Sequence, residues 1–326
     1  MNLIVLKFKH NFQTQTNLMP LSNASILPER MSSSELIRKL QKQLSIYQCG
    51  FESLDKNEIE RKTGAKLGRM ADPTDLYVDP FGNYILTFES NIVVMNPTSR
   101  GLYALRTGVF SGHQAATLSR LGCERIFRKC VALVLSVNGS IILHGNVVSL
   151  KTGEAIGVLG ESGFGKSTLT LALVRAGATF LSDDLIAFDS KDGRLIYRTE
   201  QLHIQQSVLR EMGFDVSNEY LKAKRVVRIH SNEFKHQEYY LKKLYQIHPT
   251  HEGNVMTKDF LPGESVYQLM KCAVLDPRAL KITMENYLEQ RIQILNFSSL
   301  KRVLLPRKLS LLGKACDLIF AESLSA

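Results

Sequence analysis

Eight residues near the middle of this 326-residue chain have the types and spacing that bind phosphate: Gly160-Glu161-Ser162-Gly163-Phe164-Gly165-Lys166-Ser167. The run satisfies G-x-x-x-x-G-K-[ST]. Its glycines let the backbone curl, so that successive N–H groups aim at phosphate oxygens. The helix that such a loop opens adds partial positive charge at its N-terminus. Lys166 is long enough to reach β- and γ-phosphates, and the Ser167 hydroxyl is a candidate Mg²⁺ ligand. Thr168, next in the chain, closes the candidate nucleotide-binding set. The context fits: the apolar run Ala155 to Leu159 reads as a strand entering the loop, and Ser167 to Ala176 as a helix leaving it. A nucleoside triphosphate is the expected ligand.

A second group follows shortly after. Gly177 stops the helix, Thr179 to Ser182 reads as the next strand, and Asp183-Asp184 comes directly behind it. Strand, loop, helix and strand make one crossover, in which parallel strands end at the same edge of the sheet. The acidic pair is therefore expected beside the phosphates, where open α/β sheets bind their ligands. One carboxylate can hold Mg²⁺ and the other can take a proton from an attacking hydroxyl. His144 ends the strand Ser140 to His144 and can reach the same edge; by residue type alone it is more often structural.

The elements that must position these groups divide the chain into three. Residues 1–30 lack the run of apolar residues a secretory segment needs and read as a flexible extension. Residues 31–137 read as a smaller α+β region. It has a helix over Ser34 to Ile46, strands at Leu76 to Val78, Tyr84 to Phe88 and Ile92 to Met95, and a helical stretch over Gln114 to Val137. Asp79-Pro80-Phe81-Gly82-Asn83 has the composition of a hairpin turn. Residues 138–326 alternate strand and helix, which argues for a parallel or mixed α/β sheet. Helical segments recur near Ser265 to Cys272, Glu285 to Leu295 and Ser310 to Ala321.

Composition narrows the partners. The net charge is +10 with a pI of about 9.3, which suits an anionic ligand or partner. The densest basic run, Lys222 to Arg228 with Lys224 and Arg225 inside it, contains no aromatic residue and no nucleic-acid motif, so no nucleic acid is expected. No apolar run approaches the length of a membrane span. Five scattered cysteines without a C-x-x-C pair read as free thiols in a reducing, cytoplasmic setting. The transporter signature L-S-G-G-Q and the guanine-reading N-K-x-D are both absent.

Together, His144-Gly145, the loop at 160–167, Arg175-Ala176-Gly177 and Leu181-Ser182-Asp183-Asp184 resemble the catalytic core of the HPr kinase/phosphorylase family. Within it the likeness is to HPr-kinase-like serine kinases of bacterial peptide-modification clusters, lasso-peptide kinases included. It covers about residues 140–190. The resemblance implies a P-loop kinase core of the HPr kinase and phosphoenolpyruvate carboxykinase type; the smaller β-rich N-terminal region is read from its own strands and has no match to that of the regulatory HPr kinases. It implies ATP with Mg²⁺, and transfer of the γ-phosphate to a serine hydroxyl of a peptide or protein. By resemblance His144 is a site residue, Lys166 a phosphate ligand, Ser167 and Asp183 the metal side, and Asp184 the proton acceptor.

The chain also departs from that family. The downstream signature E-I-R-G-L-G is missing, and Leu202 to Met212 occupies its place, which leaves a second Mg²⁺ ligand unassigned and phosphorolysis in doubt. A small-molecule kinase, or a slow ATPase acting as a nucleotide-dependent binding protein, is the alternative. A homo-oligomer is among the expected assemblies.

Overall fold

The protein's structure, a computed structural model, describes the elements between Glu52 and Val137, and residues 139–151, 153–199, 201–214, 224–229, 237–251, 253–275 and 283–324. The extension at 1–30, the helix expected over Ser34 to Ile46, and Lys222 lie outside the described residues. Two compact units divide the chain: 1–139 with 274–283, and 140–273 with 284–326.

The first unit contains β1 (Glu52–Leu54), β2 (Lys66–Arg69), β3 (Thr74–Val78), β4 (Tyr84–Phe88), β5 (Asn91–Thr98), β6 (Gly101–Phe110) and α1 (Arg120–Val137). Its strands form one sheet in the order β1-β6-β5-β4-β3-β2. Only the β1·β6 pair is parallel. The three strands legible in the sequence are β3, β4 and β5. Val78 pairs with Tyr84, so the Pro/Gly/Asn segment does join a hairpin, although residues 79–83 are themselves outside the described set. The helix expected from Gln114 is described from Arg120.

The second unit carries the motifs. In chain order it has β7 (Ser140–Leu143), β8 (Gly145–Lys151), β9 (Glu154–Leu159), α2 (Lys166–Arg175), β10 (Thr179–Ser182) and β11 (Ile186–Asp189). Then come β12 (Gln201–Gln205), α3 (Gln206–Glu211), β13 (Lys224–Arg228), β14 (Tyr240–Thr250), β15 (Met256–Asp259) and α4 (Pro262–Lys271). The unit ends with α5 (Met284–Phe297), β16 (Ser299–Pro306) and α6 (Leu312–Leu324). The main sheet has the order β10-β8-β9-β14-β16-β15. β9·β14 and β14·β16 are parallel; β10·β8, β8·β9 and β15·β16 are antiparallel. The fold is therefore α/β with a mixed sheet.

The crossover differs from the simplest reading in one respect. β10 runs antiparallel to β8, and β8 antiparallel to β9, so β9 and β10 point the same way with β8 between them. The chain from β9 passes through α2 and over β8 to reach β10. The extended run after the acidic pair leaves the main sheet: β11 pairs with β7 in a ribbon of its own, as β12 does with β13. Lys224, Arg225 and Arg228 of the basic run fall on β13.

Side-chain alternation along each strand builds a core on both faces of the sheet. Leu143, Val147, Ala155, Leu159, Ile186, Leu244, Leu269 and Ile294 pack on one side, against α4 and α5. Val148, Ile156, Val158, Leu169, Leu173, Tyr245, Ile247, Val303 and Ile319 pack on the other, against α2 and α6. β8 is buried on both faces, Val148 in the cluster with α2 and Val147 in the cluster with α4 and α5.

At the start of β8 the strands approach too closely for any side chain. Gly145 pairs with Leu159, and a Cβ on it would sit 2.6 Å from the Val158 carbonyl oxygen, 2.8 Å from Leu159 Cδ2 and 2.9 Å from Ile186 Cδ1. The nearest atom is backbone, which cannot rotate away. Gly145→Ala is expected to destabilise the protein by about 1–3 kcal/mol through overpacking, read as a lower denaturation midpoint. An unchanged midpoint would mean that the two strands separate at this point without cost.

Candidate functional site

The phosphate-loop sequence forms the connection from β9 to α2. Gly165 takes a left-handed conformation, φ 92°, at the N-cap of α2, a geometry that glycine adopts without a Cβ penalty. Lys166 opens the helix and is buried. Its ammonium donates to the carbonyl oxygens of Gly160 at 2.8 Å and Glu161 at 3.1 Å. It thus lies folded back across the loop, on the atoms around which a phosphate-binding backbone curls.

The acidic pair comes at the end of β10, at the same edge of the sheet as the loop. The turn is closed by the buried Ser182 hydroxyl, which donates to the Leu185 carbonyl at 2.6 Å. Asp184 adopts φ 62°, the one non-glycine residue at positive φ among the described residues. Aspartate tolerates this region better than most residues, yet it is held there at a cost. Two side chains hold it. The Asp184 N–H donates to Asn146 Oδ1 at 3.1 Å, and its carbonyl lies 3.1 Å from His144 Nδ1. With its proton on Nδ1 the imidazole donates to that carbonyl.

Asp183 faces inward and is fully buried. Its Oδ2 accepts from the His203 N–H at 2.7 Å and pairs with His203 Nδ1 at 2.8 Å. Its Oδ1 is buried with no hydrogen-bond partner. Burial pushes its pKa above the usual carboxylate range, and the His203 contacts only partly offset this. A buried carboxylate oxygen without a donor is where a cation belongs. Asp183, Asp184 and His203 each bring one ligand-type atom to within 4.8 Å of one another. A magnesium ion would fit against Asp183 Oδ1, because a carboxylate is the hard oxygen donor that Mg²⁺ prefers.

His144 and Asn146 reach the edge because β8 starts there. His144 sits between β7 and β8, and its backbone N–H donates to the Cys272 carbonyl at the end of α4, 2.6 Å away. Burial and the charge of Lys166 hold its pKa below the ordinary histidine value. The ring is therefore neutral near pH 7, with Nε2 unprotonated. On the loop's other flank β14 runs past the end of β9. Gln246, opposite Leu159, donates to Gln268 of α4 at 2.9 Å. The described cysteines 130, 272 and 316 are free and buried, with thiols pushed up to about 12, 11 and 11, so they are poor nucleophiles.

His144, the loop, Lys166, Ser167, Asp183 and Asp184 thus fall at one edge, as their positions in the sequence suggested. Two participants were not foreseen, His203 and Asn146. His203 lies in the segment Leu202 to Met212, buried between Leu202 and Ile204 on β12. No helix among the described residues is long and apolar enough to cross a membrane.

No family model matches the chain. Over 79 residues it is 35% identical to an HPr kinase/phosphorylase of Clostridium beijerinckii, a stretch that spans 24% of this chain and 26% of that protein. A solved structure of the Hpr(Ser) kinase/phosphatase from Coxiella burnetii overlays with a TM-score of 0.31 at 14% identity, covering 56% of this chain and 97% of that one.

The neutral state of His144 has a measurable consequence. The folded protein binds a proton there more weakly than the unfolded chain, whose histidine titrates near 6.5. Stability from this residue is complete above that pH and is lost as the pH falls below it toward the folded value. Between about pH 8 and about pH 5, wild type should lose more stability than His144→Gln in denaturant titrations. Parallel losses would show that the ring is solvated.

Proposed function

We propose that this protein is an ATP-dependent kinase that transfers the γ-phosphate to a serine hydroxyl of a peptide or protein, in the manner of the HPr-kinase-like serine kinases. The observation that carries the proposal is the juxtaposition of a phosphate loop, with Lys166 folded over it, and an acidic turn whose buried Asp183 Oδ1 lacks a partner. The stretch of similarity to an HPr kinase/phosphorylase supports the same reading.

In this reading the loop amides and Lys166 hold the β- and γ-phosphates of ATP. The lysine exchanges the two loop carbonyls for phosphate oxygens when the nucleotide arrives. Ser167 and Asp183 are the Mg²⁺ ligands, and His203 orients Asp183 by occupying its other oxygen. When bound, the cation supplies charge neutralisation for the phosphates. Asp184 accepts the proton of the serine hydroxyl as that oxygen bonds to the γ-phosphorus and the bond to ADP breaks. Neutral His144 keeps the Asp184 carbonyl in place and adds no positive charge that would compete for the carboxylate.

The basic surface suits an acidic acceptor segment. An acceptor of the lasso-peptide type, a cytoplasmic site of action and a homo-oligomeric state belong to the proposal as well.

Radiolabelled ATP, with host lysate as the acceptor pool, tests it. Lys166→Ala should abolish transfer. Asp184→Asn keeps a residue that tolerates positive φ but cannot take the proton. It should retain nucleotide binding and lose about a hundredfold or more of the transfer rate. Asp183→Asn should instead raise the Mg²⁺ concentration needed for half-maximal rate. Wild-type transfer by Asp184→Asn would overturn the base assignment. ATP turnover with no labelled acceptor would favour the nucleotide-dependent binding protein.

A further inference from the structure

We propose that Asn146 is a positioning residue, tying the phosphate-loop helix to the acidic turn and so setting the separation between Asp184 and the phosphates. The inference rests on the kinase reading above for its consequence in catalysis, but not for the tether itself.

Asn146 is the second residue of β8 and is completely buried. A buried asparagine is costly unless both ends of its amide are used. Both ends are used, and for different elements. Nδ2 donates to Thr170 Oγ1 at 3.1 Å, and Oδ1 accepts the Asp184 N–H at 3.1 Å. Thr170 is also fully buried and stands one helical turn beyond Lys166 on α2. A short relay therefore joins the lysine that faces phosphate to the backbone of the residue that faces the hydroxyl.

The position makes a packing role insufficient. Val148, the next residue on the same face of β8, belongs to the apolar cluster with Leu169 and Leu173 of α2. An apolar side chain at 146 would extend that cluster. It would also leave the Asp184 N–H without its acceptor, in a turn already held at φ 62°. The amide orientation is dictated by its neighbours, since a backbone N–H can only donate. The oxygen must therefore face Asp184, and the NH₂ must face the threonine hydroxyl.

The tether acts on alignment and not on nucleotide contact. Loss of alignment by a fraction of an ångström reduces the chemical step while leaving phosphate binding intact. Asn146→Ala should lower kcat by about tenfold to a hundredfold with nucleotide Kd within about threefold of wild type. Thr170→Val, nearly isosteric but without the hydroxyl, should lower kcat in the same direction. Thr170→Ser should restore the wild-type rate. Amide exchange of a peptide covering 183–185, measured without acceptor, should be faster in Asn146→Ala and Thr170→Val than in wild type or Thr170→Ser. If Asn146→Ala fails to fold, the threonine pair carries the test. Wild-type kcat in Thr170→Val, or unchanged exchange at 183–185 in both variants, would overturn the tether. If wild type transfers no phosphate, the kinase reading fails, and the exchange comparison alone decides for or against the tether.

Discussion

The contact between the first residue of β8 and the last residues of β9 is the constraint on which the site depends. Antiparallel pairing sets Gly145 opposite Leu159, and only a glycine lets the Val158 carbonyl come so near. The end of one strand and the start of its neighbour therefore share an edge. The loop that leaves Leu159 then opens beside His144, and Asn146 two residues later bonds to Thr170 of α2. A second consequence follows from β8 lying between β9 and β10. Asp183 and Asp184, at the end of β10, are brought within reach of the same short segment, His144 to Asn146, that flanks the loop.

Burial then separates two adjacent aspartates. Asp183 turns inward, gives one oxygen to His203 and leaves the other buried without a donor. Asp184 is held through its backbone, by Asn146 at its N–H and by His144 at its carbonyl. Burial raises the proton affinity of Asp183, so a cation on its second oxygen would stabilise the charged form. The kinase proposal builds on this difference in burial, assigning one carboxylate to the cation and the other to the proton.

Much of this was legible because it is local. The loop, the helix behind it, the strand before Asp183 and the helices of the last third each announce themselves over ten or so residues. β8, β14 and β16 did not. β8 begins Gly-Asn, while β14 contains Lys242, Lys243 and Pro249 and β16 contains Lys301 and Arg302, so none of the three shows a clean apolar alternation. Yet these three flank β9 or its neighbour and complete the sheet. His203 and Asn146 stayed hidden for a different reason. Their partners lie 20, 24 and 38 residues away, and the pairings arise only when β12 and β8 take their places.

The most direct measurement is a crystal structure of the protein with Mg²⁺ and a non-hydrolysable ATP analogue. The expected result has the β- and γ-phosphates against the loop amides and Lys166, a metal touching Ser167 Oγ and Asp183, and the Asp184 carboxylate beside the terminal phosphate. A nucleotide bound away from the loop, or a metal held without Asp183, would contradict the assignment of this edge as a kinase site.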